Sequence, residues 1–313
     1  MKVLGGLCAL GLLSACTAAP EFFIVAAGER FPCAARVIPW TSAAGFDAHL
    51  EHCRFDEGVL PRSASSDTAT PKRYGVRGTK GLSEASLAAV NAGGWNLEAL
   101  RERIDLFVMH YDVCHDSAQC FDVLHDQRGL SVHFLLDLDG TIYQTLDLAH
   151  RARHATIAND RSVGIEIAQL GAYADSASLS RAYRRDEAGR LWLEIPRVTE
   201  APGFRRTGAR VRPSNETLHR GQINARDLVQ HDFTEAQYTS LAALIESVRA
   251  ICPRIERRFP TDEEGRVLPR CLEPAEFEAF SGVLGHFHVQ KDKSDPGPAF
   301  DWPKALGLNA GSR

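Results

Sequence analysis

At residues 104–110 the sequence is Ile-Asp-Leu-Phe-Val-Met-His. A short, mainly apolar run of this kind predicts a buried β-strand, and this one ends at a histidine. The two segments before it, residues 83–92 and 97–103, have the pattern of short helices. We therefore expect a sheet with helices packed against it, and we expect the His110 side chain at the edge of that sheet.

Later segments extend the predicted sheet. Residues 130–138 alternate in strand fashion, Asp139-Gly140 predicts a hairpin turn, and residues 141–144 follow as a partner strand. Residues 162–168 predict a further strand, and residues 234–251 predict a long amphipathic helix that opens with a capping box. The fold class expected from this mixture is α/β, a single domain with a central mixed β-sheet flanked by helices.

Length, composition and charge limit the classes of function. The chain has 313 residues, of which 44% are hydrophobic and 24% are charged, which is typical of a globular protein of enzyme size. Its 36 basic and 40 acidic residues give a net charge of -4, and no nucleic-acid-binding motif is visible. We therefore expect no nucleic acid as a partner.

Two segments do not follow the strand and helix pattern. Residues 16–80 are rich in proline and predict an amino-terminal arm or linker, which leaves residues 81–313 for the main domain. Residues 172–222 form an insertion, and between positions 181 and 212 it has nine arginines against four acidic residues. Two interpretations of the insertion stay open, a solvated surface and the wall of a groove that meets an anionic polymer.

The first residues have the pattern of an export signal. Lys2 is followed by an apolar stretch over residues 3–13, which is too short to cross a bilayer as a helix. The sequence Leu-Ser-Ala-Cys at residues 13–16 resembles the lipobox of bacterial lipoproteins. The resemblance implies that residues 1–15 are a signal peptide and that Cys16 is lipidated. An ordinary signal peptide is the alternative.

The resemblance also implies a location. Thr17, and not an aspartate, follows Cys16, which by resemblance to the sorting of such lipoproteins favours the outer membrane, facing the periplasm. We therefore expect an exported protein that is attached to a membrane by its lipid.

Six cysteines remain after Cys8 and Cys16 are set aside, and an oxidising compartment permits disulfides. Closing short loops costs the least chain entropy, so we expect local pairing. The expected disulfides are Cys33 with Cys53, Cys114 with Cys120, and Cys252 with Cys271. A zinc cluster of Cys114, His115 and Cys120 is the less favoured alternative, because no second paired set has zinc-finger spacing.

Four residues stand where side chains for metal and acid–base chemistry are expected. His110 ends a strand, Glu166 points away from the apolar face of another, and His286 lies nine residues before Asp295. Each of them alone is more often an ordinary polar or turn residue. Together, two histidines and an aspartate make an open zinc site with a position left for water, and a separate carboxylate is suited to accept a proton.

The order of these motifs resembles a known family, the zinc-dependent N-acetylmuramoyl-L-alanine amidases of the amidase 2 type. Their fold is shared with the peptidoglycan recognition proteins and a phage lysozyme-amidase. The resemblance covers about residues 104–170 and 228–303. The matching segments are Phe107–Tyr111, Gly129–Gln144, His154-Ala155, Asn159, Gly164–Glu166, Gly285-His286 and Lys293–Phe300.

The resemblance implies a role for each matching polar residue. The implied roles are metal ligands for His110, His286 and Asp295, proton acceptor for Glu166, oxyanion stabilisation for Lys293, and substrate binding for His154 and Asn159. His288 is a second candidate ligand, and His286 is preferred because it follows Gly285 as the family's ligand does. The implied cofactor is Zn²⁺, and the implied partner is peptidoglycan or a muropeptide.

The expected function is zinc-dependent hydrolysis of the amide between N-acetylmuramic acid and L-alanine. Two alternatives stay open. A non-catalytic module of the same fold would bind peptidoglycan without cutting it, and a zinc hydrolase with another specificity would cut a different amide. A missing ligand or missing acid would favour the first alternative, and here every position has a competent residue type.

Overall fold

The computed structural model describes residues 21–51, 73–195 and 210–308. Within these ranges the chain forms fifteen strands. They are β1 (Phe23–Ala26), β2 (Glu29–Pro32), β3 (Val37–Pro39), β4 (Tyr74–Val76), β5 (Leu106–Tyr111), β6 (Phe134–Leu136), β7 (Ile142–Gln144), β8 (His150–Ala152), β9 (Ser162–Ile167), β10 (Tyr183–Arg185), β11 (Leu191–Glu194), β12 (Arg210–Val211), β13 (His219–Ile223), β14 (Arg226–Gln230) and β15 (Gly282–Gly285).

The same ranges contain seven α-helices. They are α1 (Glu84–Gly93), α2 (Leu97–Arg103), α3 (Ser117–Phe121), α4 (Glu235–Ile251), α5 (Pro274–Ala279), α6 (His286–Val289) and α7 (Trp302–Ala305). A π-helix at Asp122–Gln127 continues α3, and two short 3₁₀ turns lie at Thr156–Ala158 and Leu179–Arg181. None of the helices in the described ranges is long and apolar enough to cross a membrane.

A six-stranded sheet forms the centre of the fold, with the strand order β15-β5-β9-β6-β7-β3. The strands from β15 to β6 run parallel, β7 is antiparallel to β6, and β3 runs parallel to β7 at the edge. This arrangement confirms the predicted fold class, a mixed sheet flanked by helices.

The apolar strand β5 is covered on both faces, as its sequence predicts. Phe107 and Met109 point into the main core, which contains the buried face of α4. Leu106 and Val108 point into a second cluster, together with Phe277 of α5. Because side chains alternate along a strand, His110 lies on the same side as Leu106 and Val108.

Helix α4 confirms the predicted helix almost to the residue. The Thr234 side chain caps the backbone N–H of Gln237, and the Gln237 side chain accepts from the Thr234 N–H. The same two side chains also donate to the Leu138 and Ala168 carbonyls of the central sheet region. The capping box therefore both starts the helix and ties it to the sheet.

The described part of the predicted arm is packed into the domain. Strand β3 is an edge strand of the central sheet, and β4 pairs with β8. The buried Gln144 side chain accepts from the N–H of Val25 at 2.8 Å and donates to its carbonyl at 2.7 Å. Strand β1 belongs to the β1–β2 hairpin and not to the central sheet, so these two side-chain hydrogen bonds join it to that sheet.

The described part of the insertion forms small antiparallel sheets. Strands β10, β11 and β12 make one sheet, and β13 pairs with β14. Trp192 of β11 lies against three guanidinium groups, those of Arg190, Arg210 and Arg212, at 5.4 to 5.9 Å from the ring centre. Residues 196–209 lie outside the described ranges, so the two interpretations of the insertion stay predictions.

The predicted pairing of Cys252 with Cys271 is wrong for this structure, in which both residues are free thiols. Cys252 follows the last residue of α4 and lies inside the main core. Cys271 is also buried but lies outside the main core, and its N–H donates to the Asn224 side chain. The short sequence separation suggested a bridge, but the chain between them places the two thiols in different environments.

The predicted pairing of Cys114 with Cys120 is also not formed, although these two buried residues are neighbours. The Cys114 thiol donates to the Asp112 carbonyl at 3.2 Å. Burial, followed by contact with Cys114, raises the pKa of Cys120 well above its usual value. Cys33 is a free thiol, and its predicted partner Cys53 lies outside the described residues.

We predict that the buried ion pair between Arg161 and Asp105 contributes strongly to stability. The two contacts between their side chains are 2.7 and 2.9 Å, and the Arg161 guanidinium is only 11% exposed. Arg161→Met leaves the Asp105 carboxylate buried without its main partner. The free energy of unfolding should fall by about 3–5 kcal/mol, measured by urea denaturation.

Arg190→Met is the matched control, because Arg190 pairs with Asp186 at the surface with 55% of its side chain exposed. It should leave the free energy of unfolding almost unchanged. Equal losses in both variants would contradict the special role assigned to the buried pair.

Candidate active site

Three neighbouring strands deliver the candidate side chains to one edge of the central sheet. β15 ends at Gly285 immediately before His286, β5 contains His110, and β9 contains Glu166. In the parallel register His110 lies opposite Glu166, and Gly285 lies opposite Met109. Because the three strands run in the same direction, their carboxyl ends meet at this edge.

His110, His286 and Asp295 form a compact group at this edge. Oδ2 of Asp295 lies 2.8 Å from Nδ1 of His110 and 3.0 Å from Nδ1 of His286. The two Nδ1 atoms lie 3.0 Å from each other, and all three residues are buried. Three atoms with lone pairs thus converge on one point.

The other ring nitrogens of the two histidines point away from this group and have partners. Nε2 of His110 lies 3.0 Å from Nδ1 of His154, and Nε2 of His286 lies 2.8 Å from Oε1 of Gln290. A ring that donates from Nε2 presents the lone pair of Nδ1. These outer contacts therefore leave both Nδ1 atoms able to bind a metal ion.

The electrostatics of the group favour metal ligation. Burial, followed by the neighbouring His286, lowers the pKa of His110 to about 4, so this ring is neutral near pH 7. Burial alone would raise the pKa of Asp295, but its contacts with His110 and His286 hold the pKa well below its usual value. A neutral imidazole and an ionised carboxylate are the forms that bind Zn²⁺.

His288, the second candidate ligand, lies outside the group. Its Nδ1 accepts from the Gly285 N–H at 2.9 Å, and its Nε2 donates to the Leu268 carbonyl at 2.9 Å. Helix α6 starts at His286 and turns the His288 side chain into the protein. The structure therefore gives His288 a structural position and leaves His286 beside Asp295.

Glu166 is the candidate proton acceptor, and its Oε2 atom has no hydrogen-bond partner although it is buried. Burial, followed by the charges of Asp295 and Asp112, raises the pKa of Glu166 well above its usual value. A carboxylate with a raised pKa is a stronger base than a solvated one. The group is thus suited to accept a proton from a water in the adjoining cavity.

Lys293 is held at the same cavity by its backbone. Its carbonyl accepts from the Asn224 side chain at 3.0 Å and also from the Arg226 side chain. The next residue, Ser294, contacts the Tyr111 hydroxyl at 2.6 Å. Strand β5 and the β13–β14 hairpin therefore fix the loop that presents both Lys293 and Asp295.

The cavity above these residues has a volume of about 640 Å³ and is lined by all the predicted site residues. Its wall also contains basic side chains, Arg128, Arg151 and Arg153, which the sequence analysis did not single out. Arginines are frequent in this chain, and no spacing marks these three. Only the fold shows that they face a common cavity.

His154 and Asn159, the predicted substrate contacts, lie in the cavity wall and are joined to each other. The Asn159 Oδ1 atom accepts from the backbone N–H groups of His154 and Ala155 at 3.1 and 2.7 Å. Its own carbonyl accepts from the buried Arg77 guanidinium. Asn159 thus organises the turn between β8 and β9 in addition to facing the cavity.

The sequence profile of the N-acetylmuramoyl-L-alanine amidase family, amidase 2, matches residues 100–298. The chain belongs to this family. The match covers every candidate ligand and the candidate base, and it confirms the predicted enzyme class. No curated protein is a significant match to the chain.

Solved amidase structures are similar to the chain. A selenomethionine derivative of AmpD is 18% identical with a TM-score of 0.35, over 80% of this chain and 98% of that one. The Escherichia coli amidase AmiD, in complex with an anhydro-N-acetylmuramic acid peptide, is 18% identical with a TM-score of 0.36, over 66% and 57%. AmpDh3 of Pseudomonas aeruginosa, with an anhydromuramic pentapeptide, is 19% identical with a TM-score of 0.35, over 66% and 60%.

The residues at this amidase site fit a zinc ion. The three ligand atoms are 2.8 to 3.0 Å apart. Tetrahedral zinc with bonds of about 2.0–2.1 Å places its ligands roughly 3.3 Å apart, so only a small outward shift is needed. Two imidazoles and one carboxylate also make an open set of the kind found in hydrolytic zinc sites.

We predict that His286, and not His288, binds the metal. His286→Ala should lose most of the zinc that the wild type retains at one ion per chain, because one of three ligands is removed. His288→Ala should retain zinc but unfold at lower denaturant concentration, because it leaves two buried backbone groups unpaired. Metal content by mass spectrometry and urea denaturation separate the two effects. Zinc loss in His288→Ala at full stability would contradict the assignment.

Proposed function

We propose that this amidase hydrolyses the bond between N-acetylmuramic acid and L-alanine with a zinc ion held by His110, His286 and Asp295. The supporting observation is the convergence of these three ligand atoms beside the buried, unpartnered carboxylate oxygen of Glu166. The cavity is large enough for a sugar–peptide unit. Peptidoglycan and its muropeptides are the proposed substrates.

Zinc, when bound here, would supply the positive charge that activates water and polarises the amide carbonyl. The Glu166 carboxylate accepts a proton from the attacking water and passes it to the amide nitrogen as the carbon–nitrogen bond breaks. The ammonium group of Lys293 stabilises the negative charge that develops on the carbonyl oxygen. The products are a carboxylate on the muramic acid side and the free amine of L-alanine.

We predict that Glu166→Gln abolishes most turnover without affecting zinc content or folding. The amide has almost the same shape but accepts no proton from water, and the expected loss in kcat is on the order of a hundredfold or more. Hydrolysis of purified sacculi and muropeptides, followed by mass spectrometry, measures it. Glu84→Gln, on the first turn of α1, is the matched control and should retain wild-type turnover.

The same assay separates the two alternatives. Products that gain one water at the muramic acid to L-alanine bond, and that disappear after chelation, support the proposal. Binding to sacculi without any product would instead indicate a non-catalytic module. Cleavage at a different amide would indicate a zinc hydrolase of other specificity. Near-normal cleavage by Glu166→Gln would show that another group is the base.

We also propose that the protein is exported and attached to the outer membrane through a lipid on Cys16. The support is the sequence around Cys16, which lies outside the described residues. Labelled fatty acid should enter the wild-type protein, whereas Cys16→Ser should be neither labelled nor retained in membranes. Release of the unmodified wild type into the soluble periplasm would contradict this location.

A further inference from the structure

We infer that His154 is a positioning residue, which sets the tautomer and ring orientation of His110, and that position 164 is glycine so that the His154 ring fits there. The inference rests on the proposed zinc site and goes beyond the role in substrate binding that the sequence suggested for His154. It is carried by three contacts of the His154 ring.

The first contact decides the proton positions. His110 ligates through Nδ1 only if the proton of its ring is on Nε2. The partner of Nε2 is Nδ1 of His154 at 3.0 Å, which must therefore accept. If His154 instead had its proton on Nδ1, that proton would point at His110 Nε2, and His110 would have to be protonated on its ligating nitrogen.

The second contact fits the form of His154 that accepts at Nδ1 and has its proton on Nε2. Its Nε2 lies 3.1 Å from the hydroxyl oxygen of Ser162, which can take a hydrogen bond from it. A continuous series of donors then runs outward from His110 through His154 to Ser162. The distance of 3.0 Å between Nε2 of His110 and Nδ1 of His154 is that of a hydrogen bond, and the two imidazole planes are nearly perpendicular, at 84°.

The third contact explains why residue 164 is glycine. A Cβ atom at position 164 would lie 2.5 Å from Nδ1 and Cε1 of the His154 ring and 2.8 Å from its Cγ. Gly164 is in the middle of strand β9, outside the left-handed region, so its backbone does not require glycine. Glycine is needed because the imidazole of His154 lies against residue 164 and occupies the space that a side chain there would fill.

The backbone of His154 is fixed as well. Asn159 accepts from its N–H, as described for the cavity wall, and Arg77 donates to the Asn159 carbonyl at 3.2 Å. The His154 side chain is thus held from its own backbone, from Gly164 and from Ser162. A side chain held on three sides has little freedom to move away from His110.

The test compares two substitutions of the same shape. In His154→Asn the side-chain oxygen takes the place of Nδ1 and still accepts from His110, whereas His154→Leu has no acceptor. Zinc affinity is measured by competition with a chromogenic chelator, and the ligand field by the absorption of the Co²⁺-substituted protein. Urea denaturation of the metal-free proteins reports purely structural effects.

We expect His154→Leu to weaken zinc binding by about 10- to 100-fold and to alter the Co²⁺ spectrum. His154→Asn should restore most of the affinity. Gly164→Ala should weaken zinc binding in the same direction, because the added methyl group displaces the ring. In a His154→Ala background the Gly164→Ala change should have little further effect, since the displaced ring is already absent.

Gly75→Ala is the matched glycine control. Gly75 is also in a strand, β4, and a Cβ atom there meets nothing within 4 Å. It should leave zinc affinity unchanged. Equal zinc affinity in His154→Leu and His154→Asn, or unchanged affinity in Gly164→Ala, would overturn the inference.

Failure of the proposed function can be distinguished from failure of the inference about His154. A wild type that binds zinc but leaves muropeptides intact would refute the proposed activity, while the affinities of the His154 variants would still decide the inference. A wild type without measurable zinc affinity would overturn both.

Discussion

The register of three parallel strands is the constraint on which the whole site depends. Because β5 pairs with β9 so that His110 lies opposite Glu166, the proposed ligand and the proposed base point to the same side of the sheet. A slip by one residue would turn one of them to the other face. The apolar residues of β5 specify this register. They alternate between two separate hydrophobic clusters, and a slip by one residue would place each side chain on the side of the wrong cluster. Packing energy thereby determines where the polar atoms meet.

The site shifts the pKa values of two carboxylates that line one cavity, Asp295 and Glu166, in opposite directions. Asp295 contacts the imidazoles of His110 and His286, and its pKa lies below the usual value. Glu166 has an unpartnered oxygen in a buried place, and its pKa lies above the usual value. Environments that shift the pKa values of similar groups in opposite directions suit those groups to different tasks, here the proposed roles of anionic metal ligand for Asp295 and proton acceptor for Glu166. Neither assignment follows from the residue type alone.

Much of this arrangement was predictable from the sequence, and the remainder has physical reasons. The apolar run of β5 and the periodic face of α4 are long local signals, so their positions were predicted closely. Strand β3 has only three residues, and its place at the sheet edge depends on a partner about a hundred positions away. The choice between His286 and His288 was made on resemblance, and only the turn of α6 shows why His288 points inward. The cysteine pairs were inferred from sequence separation, which says nothing about whether two thiols ionise or face each other.

Strand β3 limits how far this protein can be shortened at its amino-terminal side. The family match begins at residue 100 and ends at residue 298, yet β3 lies before it and the buried Trp302 after it. A fragment cut to the matched boundaries would uncover the backbone of β7 along the length of Ile142–Gln144 and would leave the buried Gln144 amide without its Val25 partners. An uncovered strand edge is a template for pairing between chains. Self-association of such a fragment would then reflect the missing border of the sheet and would say nothing about the assembly of the intact protein.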